Sequence, residues 1–258
     1  MQLKHLFLVI FTLSSPLLLI GQQTHTASPL NPQTTATQDS LTLEINTNLI
    51  DSLQLWATYY YIPTLSNNDS GITLLNSKEE SLGLKLTPED WCKAAIEGTA
   101  RIQKDSNVYS LNYAGRSEKL QYDCRKCTKY KNYSGYAKTG KVLWSQTSGF
   151  GLGVKNHQLV PFRSIAVDNS IIPYGSVVFI PAAKGVKFID TSGIEQTHDG
   201  LFFAADTGSQ ITGNHIDVFL GLSKDNPFSF ITSSRHSLFD AYLVSSNKIR
   251  YWLLKMHQ

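Results

Sequence analysis

The sequence predicts a mainly β protein built on a small barrel or sandwich, and two observations carry that reading. From Val160 onward, short apolar runs are separated by Gly, Pro, Asp and Asn at intervals of about ten residues, the rhythm of strands and turns in such folds. Far upstream, Leu53–Ile62 (LQLWATYYYI) is rich in aromatic residues and stops at Pro63, a strand signal with its terminator.

Taken in order, Met1–Gly21 reads as an export signal. Lys4 and His5 precede an apolar run, Leu6–Ile20, that is short for a membrane span of ~20 apolar residues and is interrupted by Ser14, Ser15 and Pro16. Cleavage is expected near Gly21-Gln22, and no cysteine follows to take a lipid. The mature chain is therefore expected in the periplasm, cell wall or medium, with no stable membrane insertion. Residues 22–48 are rich in Thr, Ser, Gln and Asn, contain Pro29 and Pro32, and read as a disordered linker. The folded domain is expected over 49–258. A net charge of +3 argues against a nucleic-acid partner and is compatible with an anionic wall polymer.

Cys92, Cys124 and Cys127 fit an exported chain with one disulfide, from Cys92 to either partner, and one spare thiol. Cys124-x-x-Cys127 lacks a second such pair or a His pair to complete four ligands, so no metal site is expected, and no cofactor.

Within the folded part, three consecutive tyrosines at the end of the first strand must face both sides, so at least one ring lines a surface or cleft. Ser66–Ser81 reads as polar loop. Thr87-Pro88-Glu89-Asp90 is a helix start, with Thr87 as cap, Pro88 at the first helical position and Asp90 as an acidic capping-box partner. Trp91, Ala94, Ala95 and Ile96 follow at helical spacing, which predicts core packing and no site. Ile102–Ser148, rich in Tyr and Lys, reads as an irregular β insertion, and residues 82–150 together as an inserted α+β segment. Beyond it, strands are expected at Ser164–Asp168, Ser176–Ile180, Val186–Asp190, Leu201–Ala205, His215–Leu220 and Leu238–Val244.

The candidate chemistry lies between His198 and Leu222. Period-two reading puts Ile216, Val218 and Leu220 on a core face and His215, Asp217 and Phe219 on the other. Aspartate is disfavoured mid-strand and finds no turn to cap there, so Asp217 points to function. Asp206 shares the parity of Phe202 and Ala204 and closes its run at Thr207-Gly208, where an aspartate alone is as readily a turn former. The loop containing Gly208 and Gly213 brings the two carboxyls close.

Asp168 in IAVDNSIIPYGS, Asp206 in FFAADTGSQITG and Asp217 in GNHIDVFLG resemble, in that order, the three-aspartate (3D) domain found in membrane-bound lytic transglycosylase A and in smaller secreted wall proteins. Thr58-Tyr59-Tyr60 is similar to that family's Thr-x-Tyr strand. The resemblance implies a six-stranded double-psi β-barrel. It also implies cleavage of peptidoglycan glycan strands at the MurNAc-GlcNAc β-1,4 bond, leaving a 1,6-anhydro-muramyl end. On the matching positions, Asp217 is the implied acid/base and Asp206 its catalytic neighbour, while Asp168, Thr58, Tyr60, His215 and Gly213 support the site or bind substrate. Gly208-Ser209-Gln210 departs from the Gly-Gly-Ala that the family often carries after the middle aspartate.

Ordinary glycosidases need two carboxyls; one suffices when the sugar's own C6 hydroxyl attacks, provided that carboxyl is protonated at working pH. For an aspartate this requires a rise of about two units, roughly 2.7 kcal/mol, which Phe219 and Asp206 are expected to supply by desolvation and like charge. The alternative is a non-catalytic, expansin-like wall glycan binder, whose His-Phe-Asp triplet His215-Ile216-Asp217 resembles. Asp206-Thr207-Gly208 also resembles the turn of retroviral-type aspartic proteases, but Phe219-Leu220-Gly221 follows too soon to be that fold's second element.

Overall fold

The computed structural model describes residues 44–46 and 48–258. The expected export signal and most of the expected linker lie outside the described residues. β1 (Leu49–Tyr60) alternates as its sequence demands: Leu55 and Ala57 are buried, while Trp56, Thr58 and Tyr60 face the other way. Pro63, which has no N–H to donate, ends the strand, and the chain leaves to build a second lobe.

That lobe contains β2 (Thr64–Ser66), β3 (Ile72–Leu75), β4 (Ser81–Leu86), the helix Pro88–Glu97, β5 (Thr99–Lys104), β6 (Asn107–Arg116) and β7 (Val142–Gln146). Its main sheet runs β2-β5-β6-β7, with β3 and β4 paired as a separate hairpin. The lobe thus begins at Thr64 and not at Leu82, and the expected loop Ser66–Ser81 contains β3. Leu74 of that strand is fully buried with Leu84, Leu86, Trp91 and Trp144. The helix starts as its capping residues require, with the Thr87 side chain accepting from the Asp90 N–H at 3.2 Å. A Cys92–Cys124 disulfide ties this helix to the loop after β6, leaving Cys127 as a buried free thiol.

The chain then returns as β8 (Ser164–Ala166), β9 (Val177–Phe179), β10 (Lys187–Ile189), β11 (Glu195–Thr197), β12 (Leu201–Asp206), β13 (His215–Phe219) and β14 (Phe239–Val244). Six strands close a barrel in the order β1-β13-β8-β12-β9-β14, the architecture expected from the sequence. Two pairs in it are parallel, β1 with β13 and β8 with β12; the other contacts are antiparallel. Its interior is filled by Leu55, Ala57, Ile165, Val178, Phe202, Ala204, Ile216, Val218 and Ala241. Each large side chain so buried contributes ~1.5–3 kcal/mol.

The expected strand Val186–Asp190 exists only as β10, outside the barrel, where it pairs with β11 as a hairpin. Asp190 turns the chain there, its carboxylate accepting from the Ser192 and Ile194 N–H groups. A second apolar layer covers the outside of the barrel. The closing helix Asn247–Met256, capped by Ser246, lays Ile249 and Leu253 against it together with Val177, Phe203 and Phe219. Ile45 joins this layer, 2% exposed, and Glu44 accepts from the Ser246 hydroxyl, so among the described residues packing already includes Glu44, five residues before Leu49. Among the described residues no helix is long and apolar enough to cross a membrane.

Candidate active site

Strand register places the acids. Thr58 of β1 pairs with Asp217 of β13, Asp217 pairs with Ala166 of β8, and Ala166 pairs on its other side with Asp206 of β12. The two aspartates therefore flank Ala166 at two strand spacings, roughly 9.5 Å between Cα atoms. The alanine methyl leaves the floor between them open. Strict alternation would have sent Asp206 into the barrel with Phe202 and Ala204. The register shifts between Ala204 and Asp206, a bulge that turns the carboxylate outward into the cleft.

The cleft has a volume of about 300 Å³. Its barrel wall is Tyr60, Ala166, Asp206, Asp217 and the loop from Thr207 to Ile211. Its other wall comes from the second lobe: Ile96 and Glu97 at the end of the helix Pro88–Glu97, and Tyr133. The expectation that this helix only packs a core is corrected here. Trp91, Cys92, Ala94 and Ala95 are buried in the lobe, but its last turn reaches the site.

Each acid has defined partners. Asp217 Oδ1 accepts from the Thr58 hydroxyl at 2.7 Å, and the Thr58 oxygen lies 2.8 Å from His215 Nε2. His215 Nδ1 lies 3.3 Å from the Gln210 carbonyl oxygen, so an imidazole with its proton on Nδ1 accepts from Thr58 at Nε2, and one with its proton on Nε2 donates to Thr58. His215 is itself buried and fixed by stacking on Trp56, with centroids 3.6 Å apart and planes within 6°. Asp206 Oδ2 accepts from the Tyr60 phenol and Oδ1 from the Thr207 N–H, each at 2.8 Å.

Burial raises Asp206 from the ordinary 3.8 to about 6, against the lowering bonds from Thr207 and Tyr60. Burial also raises Asp217 to about 6; Thr58 opposes, and the charge of Asp206 adds. Tyr60 is pushed well above the usual phenol range by burial and by Asp206. Phe219 contributes from beneath, fully buried under Tyr60 (5.0 Å) and Phe150 (6.0 Å), and does not line the cleft.

Asp168 stands apart from these acids. Its Oδ1 accepts from the Ser170 N–H and hydroxyl, and its Oδ2 from the Gly213 N–H at 2.7 Å. These bonds hold its carboxyl below the ordinary range. Gly213, at φ 63°, and His215 also lie off the cleft wall. The bond from Gly213 to Asp168 ties down the far end of the loop that carries the cleft rim from Thr207 to Ile211, and Val167 holds its near end at Asp206 and Thr207. Sequence reasoning missed Ala166, Tyr133 and Glu97. The signal for Glu97 was an acid directly before a helix-ending glycine, where local rules favour a cation. Among the described residues no group of three or more His, Cys, Asp and Glu is arranged to hold a metal ion.

Residues 163–227 match the 3D domain family, a span that holds Asp168, Asp206, Asp217 and β8 to β13. No curated protein matches the chain. Among solved structures, the chain is similar to a membrane-bound lytic murein transglycosylase from Agrobacterium tumefaciens, at 15% identity over 84% of this chain and 81% of that one, with a TM-score of 0.50. It is also similar to MltA of Escherichia coli with bound chitohexaose (16% identity, 75% and 72% covered, TM-score 0.48). A third is the lytic transglycosylase LtgG of Burkholderia pseudomallei (18%, 84% and 82%, 0.43). The three aspartates, on barrel strands and the loops that follow them, all fall within the 163–227 span that matches the 3D domain.

Proposed function

We propose that the protein cleaves peptidoglycan glycan strands at the MurNAc-GlcNAc β-1,4 bond as a lytic transglycosylase, releasing 1,6-anhydro-muramyl ends. The observation that carries this is Asp217: a mid-strand carboxyl in a cleft, pushed to about 6 and held by Thr58 beside a second acid. Its neighbours among solved structures, described as lytic transglycosylases and one of them with bound chitohexaose, support the same substrate class. Protonated Asp217 donates to the glycosidic oxygen as the bond to C1 breaks. The C6 hydroxyl of the same sugar then attacks C1 and yields its proton to a carboxylate of the cleft, with no water consumed. Acid assistance of this kind supplies ~10²–10⁴ in rate. Asp206, in its ionised form and fixed by Tyr60 and Thr207, faces the developing positive charge and stabilises it.

Mass spectrometry of purified peptidoglycan after incubation tests the reading. Anhydro-muramyl ends are expected, and reducing ends would mean that water enters. If the wild type sediments with the wall and releases nothing, the expansin-like binder replaces the enzyme. Export belongs to the same proposal, with a mature chain starting near Gln22, and N-terminal sequencing of secreted protein checks it.

A further inference from the structure

The second lobe brings a carboxyl of its own to the cleft. Glu97 is the last residue of the helix Pro88–Glu97 and lines the wall facing Asp206 and Asp217. By local rules it is misplaced. Carbonyls at a helix C-terminus carry partial negative charge and favour cations, yet this last turn holds no basic residue and ends in an acid before the left-handed Gly98 cap. The i,i+4 pairing with Lys93 offsets part of that cost, and the carboxyl lies at the cleft.

Its surroundings fix it. The carboxylate accepts from the Tyr61 N–H, where β1 passes into the second lobe, and Lys93 stands one turn back on the same helix. From the barrel Asp217 and Tyr60 sense it, and from the lobe Lys129 and Tyr130. Burial, then the charge of Asp217, holds Glu97 up to about 7, while Lys93, the Tyr61 amide and Lys129 oppose. Two carboxyls coupled in one cleft titrate as a pair. When Asp217 takes the proton, the charge that helps to raise Glu97 is gone and Glu97 ionises more readily.

We propose that Glu97 is a second catalytic carboxyl, the general base that takes the proton of the attacking hydroxyl while Asp217 acts as the acid. This rests on the glycan-cleaving reading above. The proton of Asp217 passes to the glycosidic oxygen, which leaves with the electron pair of its bond to C1. A new bond forms from the C6 oxygen to C1, and the C6 hydroxyl proton passes to Glu97. After product leaves, solvent returns that proton to Asp217, so no other reactant is consumed.

The test is kcat and KM for solubilised glycan strands across pH 4.5–8.5 for wild type, Glu97→Gln and Glu97→Asp. Wild type is expected to give a two-limbed profile that belongs to the pair. Glu97→Gln should lose the acidic limb and ~10²–10⁴-fold in kcat with KM little changed, and Glu97→Asp should restore the limb at a displaced pH. An acidic limb retained in Glu97→Gln, a rise in KM alone, or a pH-independent loss that Glu97→Asp does not restore would each overturn the assignment. If Glu97→Gln does not fold, Glu97→Asp decides: a displaced limb supports the base and an unchanged one removes it. A wild type that releases no product overturns both readings, whereas an active enzyme indifferent to residue 97 overturns only this one.

Discussion

Asp217→Asn separates what the site does from what it costs the fold. Asparagine keeps the size of the side chain and an oxygen for the Thr58 hydroxyl, and removes only the proton and the charge. The folded carboxyl sits at about 6 against an ordinary 3.8, so above pH 6 both folded and unfolded forms are ionised and the fold bears the whole difference. That difference is about 3 kcal/mol as an upper bound, lowered by water entering the open cleft. As pH falls from 6 toward 3.8 the folded carboxyl takes its proton first and the penalty disappears. Asp217→Asn should therefore be more stable than wild type at pH 8 by up to ~3 kcal/mol, at about 2–4 °C of melting temperature per kcal/mol for a domain of this size. The gain should shrink toward zero near pH 4. Paired thermal melts at the two pH values measure it, alongside cleavage assays in which the variant releases nothing and still sediments with peptidoglycan. A variant that melts below wild type at pH 8, or whose gain is the same at pH 4, refutes the burial argument.

Thr58→Val removes the donor that lowers Asp217, so the basic limb of the pH–rate profile should move upward; an unmoved limb would detach Thr58 from the acid. Ala166→Leu should fill the floor between the two aspartates at a folding cost of about 1–3 kcal/mol, and sedimentation should show glycan binding lost together with cleavage. Asp168→Ala should free the Gly213 N–H and speed hydrogen exchange across residues 207–214, with kcat/KM falling more than the melting temperature does. Cys92→Ser opens a cross-link between residues 32 apart and should destabilise the protein by about 4 kcal/mol, read from denaturant unfolding against wild type.

Period-two patterning made much of this architecture legible. Ile216, Val218 and Leu220 fill the barrel while Asp217 faces outward, because alternation is a property of the strand itself. Thr87, Pro88 and Asp90 marked the helix start for the same local reason. Asp206 shows the limit. Its parity pointed into the barrel, and a bulge next to it, which no residue type announces, reversed the direction. Of the three aspartates that share a motif, two line the cleft and Asp168 serves the loop. The spacing that grouped them could not distinguish a carboxylate facing substrate from one accepting backbone N–H groups.

The second wall of the cleft was hidden for a different reason. A helix declares its buried face through Trp91, Cys92, Ala94 and Ala95, but what its final turn meets depends on where the lobe docks. The Tyr61 amide, just before the Pro63 turn, meets Glu97, and the parallel pairing of β1 with β13 brings Asp217 beside that same junction. The lobe's carboxyl and the barrel's carboxyl are thus joined through one short stretch of chain, Tyr60–Tyr61, with Tyr60 bonded to Asp206. A mutation that shifts this junction acts on all three acids at once. Glu97 sits on the far side of a helix whose core residues gave every reason to read it as packing, and only its clash with the helix dipole set it apart.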